Sequence, residues 1–552
     1  MTIKQMKNIT FEKPSYEEWK EEAVRTLKGK SYDELISSTF EGINLQPLYT
    51  TEHLHNTVNY ADVISQSKQD ANWIVAQRIS GNTAIEFLHN AKMQQERGNE
   101  MIVYVGSPTP FSWSAKESQE LAELLKTNPF YFKIESLKDE ILHVFSHFSQ
   151  EEKSILNGYI YEGTYDFGRT VISAYEIHHI GGTAIHELAY ALLGFAKFAE
   201  KQESFTSKLA VQFSIDTNFF MEIAKLRAFR ILWRAFSKAY DTDHVSIPVI
   251  AETSLRSYSK LDSTVNLLRA GNAAFSAVLG GADIITVHPH DVLTGSSTTS
   301  ERIARNVQLV IREETMVNKF IDPSSGSYYV ETLTAELVHQ AWSLFLTVLN
   351  IKPDEQIDFL MSLAKDTQSM RKTALAKRKF SLIGTNVYSN PEDTVYSTTF
   401  DKDTDRLAIP FETLRTHFDK HSLKTAIVSF GVLKEVKPRV DFVQGFLHAG
   451  GLNPDISPVF NKASDAWHWV NSNGYTYVVI AANEENSKEI LPEFLSMANN
   501  QTIVDVAGKF TEEVKVWQDQ GLNGTIFAGQ NLIEKMEQLI EIQEEVLKND
   551  QA

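Results

Sequence analysis

Between residues 70 and 345 the chain alternates short apolar runs with long amphipathic stretches, and this limits its fold more than any other feature. Strand-like runs fall at 101–106 (MIVYVG), 158–163 (GYIYEG), 169–179 (RTVISAYEIHH), 245–252 (VSIPVIAE) and 282–288 (ADIITVH). Helical spacing occupies 183–203, 219–240 and 262–281. In the second of these, Ile223, Leu226, Phe229, Ile231 and Trp233 give a broad apolar face. Strand–helix alternation over about 280 residues predicts parallel α/β architecture, and that length suits a closed (β/α)8 barrel of the TIM type. An open doubly wound sheet would leave the same local signal.

The character changes near residue 385. Residues 389–406 (SNPEDTVYSTTFDKDTDR) are polar and aperiodic, and read as a linker or a loop wrapping the barrel. Alternation then restarts, with strands at 425–431, 476–482, 502–508 and 524–529 and a fifth near 455–460. The last helix carries Leu532, Ile533, Met536, Leu539, Ile540, Val546 and Leu547 at helical spacing. This is the pattern of a flavodoxin-like doubly wound domain. The expected organisation is an N-terminal arm (1–69), a barrel (70–385), a linker (386–424) and a flavodoxin-like domain (425–552). Phe11 to Trp19 and 40–50 (FEGINLQPLYT) string aromatic residues along the arm, which buries them against the body or a partner.

Composition removes several functional classes. At 552 residues and 42% hydrophobic, the chain is no disordered polymer. With no cysteine it has no disulfide framework, iron–sulfur cluster, thiolate nucleophile or Cys-ligated zinc, which fits a reducing compartment. A net charge of −18 argues against nucleic acid or an anionic membrane as partner. The first twenty residues lack the apolar core of a signal peptide, and no run of about 18 apolar residues is present to span a bilayer. The expected location is the cytoplasm.

Local motifs stop short of a reaction. His288 and His290 follow a strand at the end of the barrel where active sites lie, and read as metal ligands or as pocket histidines. His178 and His179 close the run from Arg169; as neighbours on a strand, at most one would face the interior. Arg302 and Arg305 open an amphipathic helix and could receive an anion or form an ion-paired face. Gly508-Lys509-Phe510 is no Walker loop, and no G-x-G-x-x-G occurs. Gly445, Gly450 and Gly451 read as cap and turn glycines, and Trp467, His468 and Trp469 as a packed helix face.

Several long blocks, in order, resemble the methylmalonyl-CoA mutase family: 169–192, 219–233, 266–283, 301–314 and 321–334. The similarity runs from about residue 70 to 385 and resumes over 425–552. It implies an acyl-CoA-binding barrel joined to a flavodoxin-like cobalamin domain, and a radical carbon-skeleton rearrangement begun by homolysis of adenosylcobalamin.

The departures from that family define the expectation. Its cobalt-ligating D-x-H-x-x-G motif falls on 430–442, with Gly431 as anchor; Leu433 stands at the aspartate, Glu435 at the histidine and Pro438 at the glycine. The later small-residue loops read 481–486 (AANEEN) and 506–510 (VAGKF). In the barrel, the family's R-T-H-S-Q-T-S-G-W stretch falls on Pro248 to Arg256, so its thioester-binding histidine becomes Ile250. The pocket tyrosine becomes Arg78 and the pocket glutamine His178. The resemblance thus implies the small, non-catalytic subunit of a heterodimeric bacterial mutase that interconverts methylmalonyl-CoA and succinyl-CoA. A homologous large catalytic subunit would bind the acyl-CoA and adenosylcobalamin, with no catalytic, cofactor-binding or metal residue on this chain. The alternatives are an independent metal-dependent barrel enzyme using His288 and His290, and an acyl-CoA-binding module without chemistry.

Overall fold

A computed structural model describes residues 14–54, 60–68, 70–106, 110–134, 138–161, 167–201, 206–242, 246–395, 405–499 and 501–550. Eight parallel strands close into a barrel: β1 (Ile74–Arg78), β2 (Met101–Val105), β3 (Phe130–Lys133), β4 (Gly158–Tyr161), β5 (Arg169–Ser173), β6 (Leu209–Ile215), β7 (Val249–Thr253) and β8 (Ile284–Thr286). Each pairs with the next in chain order, and β8 closes on β1. The closed barrel, rather than the open sheet, is the arrangement adopted.

The two-residue period of each strand divides it between two cores. Ala76, Val103, Tyr131, Tyr159, Val171, Ala210, Ile250 and Ile284 fill the barrel's inside. Their neighbours Val75, Val211, Phe213, Val249 and Ala251 pack outward under the helices. Four helices bear on the site: α1 (Tyr175–Ile180), α2 (Ala184–Ala199), α3 (Phe219–Ala239) and α4 (Thr298–Glu314). On α3 the expected apolar face is buried at Leu226, Phe229 and Trp233, with the Trp233 ring 5.0 Å from Phe195 of α2.

Two expectations change. The run from Arg169 stays a strand only to Ser173; Tyr175–Ile180 is helical, so His178 and His179 are not strand residues. The Ser173 hydroxyl accepts the Tyr175 N–H at 3.2 Å and turns the chain. Gly181 then ends the helix at φ +123°, where a Cβ would lie 2.4 Å from Gln368 Cβ, so only glycine fits. Second, the stretch expected to be linker contains a helix at Ile409–Lys420. Arg406 pairs with Glu412 across its first turn at 2.7 Å, and Glu412 also accepts the Lys260 N–H at 2.9 Å.

The second sheet runs β9 (Thr425–Phe430), β10 (Asp455–Phe460), β11 (Tyr477–Ala481), β12 (Ile503–Ala507) and β13 (Gly524–Ile526), in spatial order β10-β9-β11-β12-β13. All pairings are parallel, and the order reverses at β9, as in flavodoxin-like folds. Helix α5 (Leu433–Ala449) follows β9 and α6 (Glu484–Met497) follows β11. Gly445 lies inside α5, while Gly450 and Gly451 end it. Trp467 and Trp469 pack against Phe494 and Tyr475. Of the N-terminal arm, Phe11 is outside the described residues. Phe40 meets Phe380 edge-on at 5.8 Å, and Tyr49 meets Tyr329 at 5.1 Å, so this part of the arm lies on the body.

Candidate functional site

Active sites of (β/α)8 barrels lie where the strands end, so the inward-facing last residues of the strands are the place to look. Here they are polar and bonded to one another. Arg78 of β1 donates from Nε to Glu252 Oε1 of β7 at 2.6 Å, with Nη2 at the same distance. The other carboxylate oxygen accepts from Gln212 Nε2 of β6 at 2.9 Å. Gln212 Oε1 in turn accepts from Tyr131 at 2.9 Å and Ser173 at 2.7 Å. His288 Nε2 lies 3.1 Å from Glu252 Oε1, and the Lys133 ammonium sits 3.7 Å above the Tyr175 ring.

Burial alone would raise the Glu252 carboxyl, but Arg78 and His288 beside it hold it well below the usual carboxylate range. Glu252 is therefore a fixed anion, its charge answered within the barrel. One layer below it on β7, Ile250 is fully buried in the barrel core and presents no hydrogen-bonding group.

A second ionic cluster lies behind the strand ends. His178, from the turn of α1, bonds through Nδ1 to Glu187 at 2.8 Å and through Nε2 to Ser254 at 2.7 Å. Lys225 of α3 donates to both Glu187 oxygens (3.1 and 3.0 Å) and to the Ser214 carbonyl (2.6 Å), and pairs with Glu222 at 2.6 Å. Burial pushes the Glu222 carboxyl up to about 7 against the pull of Lys225. Burial and then Arg256 push the His178 imidazole well down, so it stays neutral. Its Nδ1–H donates to Glu187, leaving Nε2 to accept from the serine hydroxyl.

Each residue singled out in the sequence can now be placed. His178 is a satisfied structural histidine, and His179 stacks on Tyr175 with ring centroids 4.0 Å apart. His288 faces Glu252, whereas His290 is half-buried; among the described residues no group of three or more His, Asp or Glu could hold a metal. Arg305 donates to Gln77 Oε1 at 2.7 Å, and Arg302 is exposed. The sequence reading passed over Glu252, Glu187, Glu222 and Lys225. A charged residue inside an otherwise apolar run, as Glu252 is in 249–253, was the available signal.

In the second sheet the crevice expected to receive a ligand lies at the carboxyl ends of β9 and β11, beside the switch in strand order. Gly431 turns at φ +103° and the chain enters α5 directly, so Leu433 and Glu435 are first-turn helical residues. Leu433 has no ligating atom and is 64% exposed. Glu435 accepts from Asn483 Nδ2 at 3.0 Å, and a Cβ on Gly431 would lie 2.5 Å from Asn486 Nδ2. Two asparagines from the start of α6 therefore fill the space beside β9. A cavity of about 350 Å3 remains further along, between α5 and the ends of β12 and β13, lined by Arg439, Phe442, Gly508, Lys509 and Phe527.

Comparison with known proteins gives this geometry a family. The family model described as methylmalonyl-CoA mutase matches residues 117–436. A methylmalonyl-CoA mutase small subunit from Porphyromonas gingivalis is 29% identical over 435 residues, covering 69% of this chain and 70% of that one. A probable methylmalonyl-CoA mutase small subunit from Mycobacterium bovis is 32% identical over 317 residues, covering 52% of each. The large subunit from P. gingivalis is 37% identical over 193 residues, which is 33% of this chain and 27% of that one. With the closed barrel, the flavodoxin-like sheet and more than half of its length matched, the chain belongs to the methylmalonyl-CoA mutase family.

Proposed function

We propose that this chain is the small, non-catalytic subunit of a heterodimeric methylmalonyl-CoA mutase, acting in the cytoplasm to hold a homologous large subunit in a competent assembly. The large subunit would bind both acyl-CoA and adenosylcobalamin and carry out the interconversion of methylmalonyl-CoA and succinyl-CoA. The observation that carries this reading is the Arg78–Glu252–Gln212 bonding across the barrel mouth above Ile250. A site that must stabilise a reacting thioester needs donors aimed at the substrate, and these donors are spent on one another.

The cobalamin side agrees. A lower cobalt ligand requires an imidazole held by a second group, and the positions concerned offer an alkyl side chain and a carboxylate bonded to Asn483. These residues do not fit the cofactor. The names of the small-subunit relatives, and the presence of both subunits in P. gingivalis, support a two-chain assembly.

The test is equilibrium binding of adenosylcobalamin to the purified chain, with its visible spectrum, alongside mutase assays with and without a co-expressed large subunit. The expected result is no cobalamin spectrum and no turnover alone, with a stoichiometric complex active when both chains are present. Turnover by the isolated chain would overturn the proposal.

A further inference from the structure

The cavity at the carboxyl ends of β12 and β13 is cationic in an acidic chain. The protein has a net charge of −18, yet the lining of this space of about 350 Å3 holds Arg439 and Lys509 and no acidic residue. Neither cation forms an ion pair among the described residues. The segments that carry the lining, 433–449 and 501–531, are described throughout.

Arg439 is held in place from one side. Its Nη1 donates at 3.1 Å to the carbonyl of Ala507, the last residue of β12. Gly508 follows at φ +139°, where a Cβ would lie 3.3 Å from Arg439 Nη1, so glycine lets the strand end come up to the guanidinium. That bond leaves the Nε–Nη2 edge without a partner among the described residues. Its two parallel N–H groups match two oxygens of one oxyanion. Arg78 turns the same two nitrogens toward Glu252.

The rest of the wall is largely aromatic. Phe442, one turn along α5 from Arg439, and Phe527, directly after β13, both line the space, and no ring contact joins them. Lys509 Nζ lies 5.7 Å from the centre of the Phe527 ring, so ammonium and ring border one opening. Two half-buried rings that do not stack on each other leave their surfaces for a third.

We propose that this cavity binds a small aromatic oxyanion. Its flat ring lies against Phe442 and Phe527, and its carboxylate or phosphate meets the free edge of Arg439 with Lys509 beside it. Volume sets the size: at the low end of the roughly 300–1,000 Å3 of small-molecule sites, it takes one or two fused rings. A bare inorganic anion would leave both phenylalanine rings uncovered.

The probes are 1-naphthoate and 1-naphthyl phosphate, which share a ring and differ in head group, titrated calorimetrically into the full chain. Saturable one-to-one binding of at least one is expected, and the tighter of the two names the head group. Uncharged 1-naphthalenemethanol, and octanoate, which has the carboxylate without the ring, should each bind about tenfold or more weakly. The same loss is expected in R439Q/K509Q, with thermal melting to verify its fold. Lys509 is exposed, so K509Q alone supplies a second variant, and the ligand arms need none. Binding of neither probe, equal affinity for naphthalenemethanol or octanoate, or unchanged affinity in R439Q/K509Q would each overturn the site.

Discussion

At the residue scale the barrel mouth is governed by one ion pair. Arg78 and Glu252 are placed opposite each other by the inward register of β1 and β7, and Gln212 and His288 complete the carboxylate's partners. Removing one member leaves the other charge without its partner in a low-dielectric site. Arg78→Met is expected to lower the unfolding free energy by about 3–5 kcal/mol, whereas Arg78→Met with Glu252→Leu should recover most of that loss. Urea unfolding of the single and double variants measures it. Acid sensitivity is also a residue-scale property. Burial, reinforced by Arg371, pushes His186 down to about 4 from its ordinary 6.5. Between those values the unfolded chain binds a proton that the folded chain does not, so stability falls as pH drops from 6.5 to 4, by up to about 3 kcal/mol from this group. The neutral His178 and His179 act in the same direction. Glu222 opposes them, since its raised carboxyl favours the fold as pH falls from 7 towards 4.5. His186→Gln, which keeps an acceptor for the Thr183 N–H, should therefore flatten the melting temperature against pH between 6.5 and 4.

At the scale of elements, α5 matters more than the letters it carries. Its first turn begins two residues after Gly431, and Asn483 and Asn486 at the start of α6 occupy the space beside β9. Restoring the family's motif with Leu433→Asp, Glu435→His and Pro438→Gly is therefore expected to yield no histidine-ligated cobalamin spectrum. The appearance of one would mean that the helix start gives way easily. Strand packing supplies another case. Gly158 of β4 pairs with Phe130 of β3, whose ring fills the space a side chain would need: a Cβ on Gly158 would lie 2.2 Å from Phe130 Cζ. Gly158→Ala should cost about 1–3 kcal/mol by overpacking, read from the shift of the urea midpoint. The elements visible in the sequence were those with length or period on their side, such as α3 and the last helix. Strands β1, β3 and β6 went unread, because short apolar runs look alike in helix and strand until their neighbours are known.

At the scale of the whole molecule the barrel and the second sheet share apolar surface. Leu261 from the loop after β7, and Leu375 and Leu382 beyond the barrel, belong to one core with Phe411, Val443 and Leu447. The Lys260–Glu412 and Arg406–Tyr258 bonds tie the loop after β7 to the segment that leads into the second sheet. Calorimetric melting should therefore give one cooperative transition; two separated ones would show that this shared core couples the parts only weakly.

The sequence by itself determined the class of fold, because periodicity and chain length are local properties that survive without neighbours. It also determined which motif residues are missing, since Leu433 and Ile250 lack polar side-chain atoms in any conformation. Only the tertiary structure decided that the barrel is closed, that Glu252 meets Arg78 across it, and that 175–180 turns into helix. The first two depend on residues more than 170 positions apart brought together by strand register, and the third on the Ser173 hydroxyl and on Gln368 packed against Gly181.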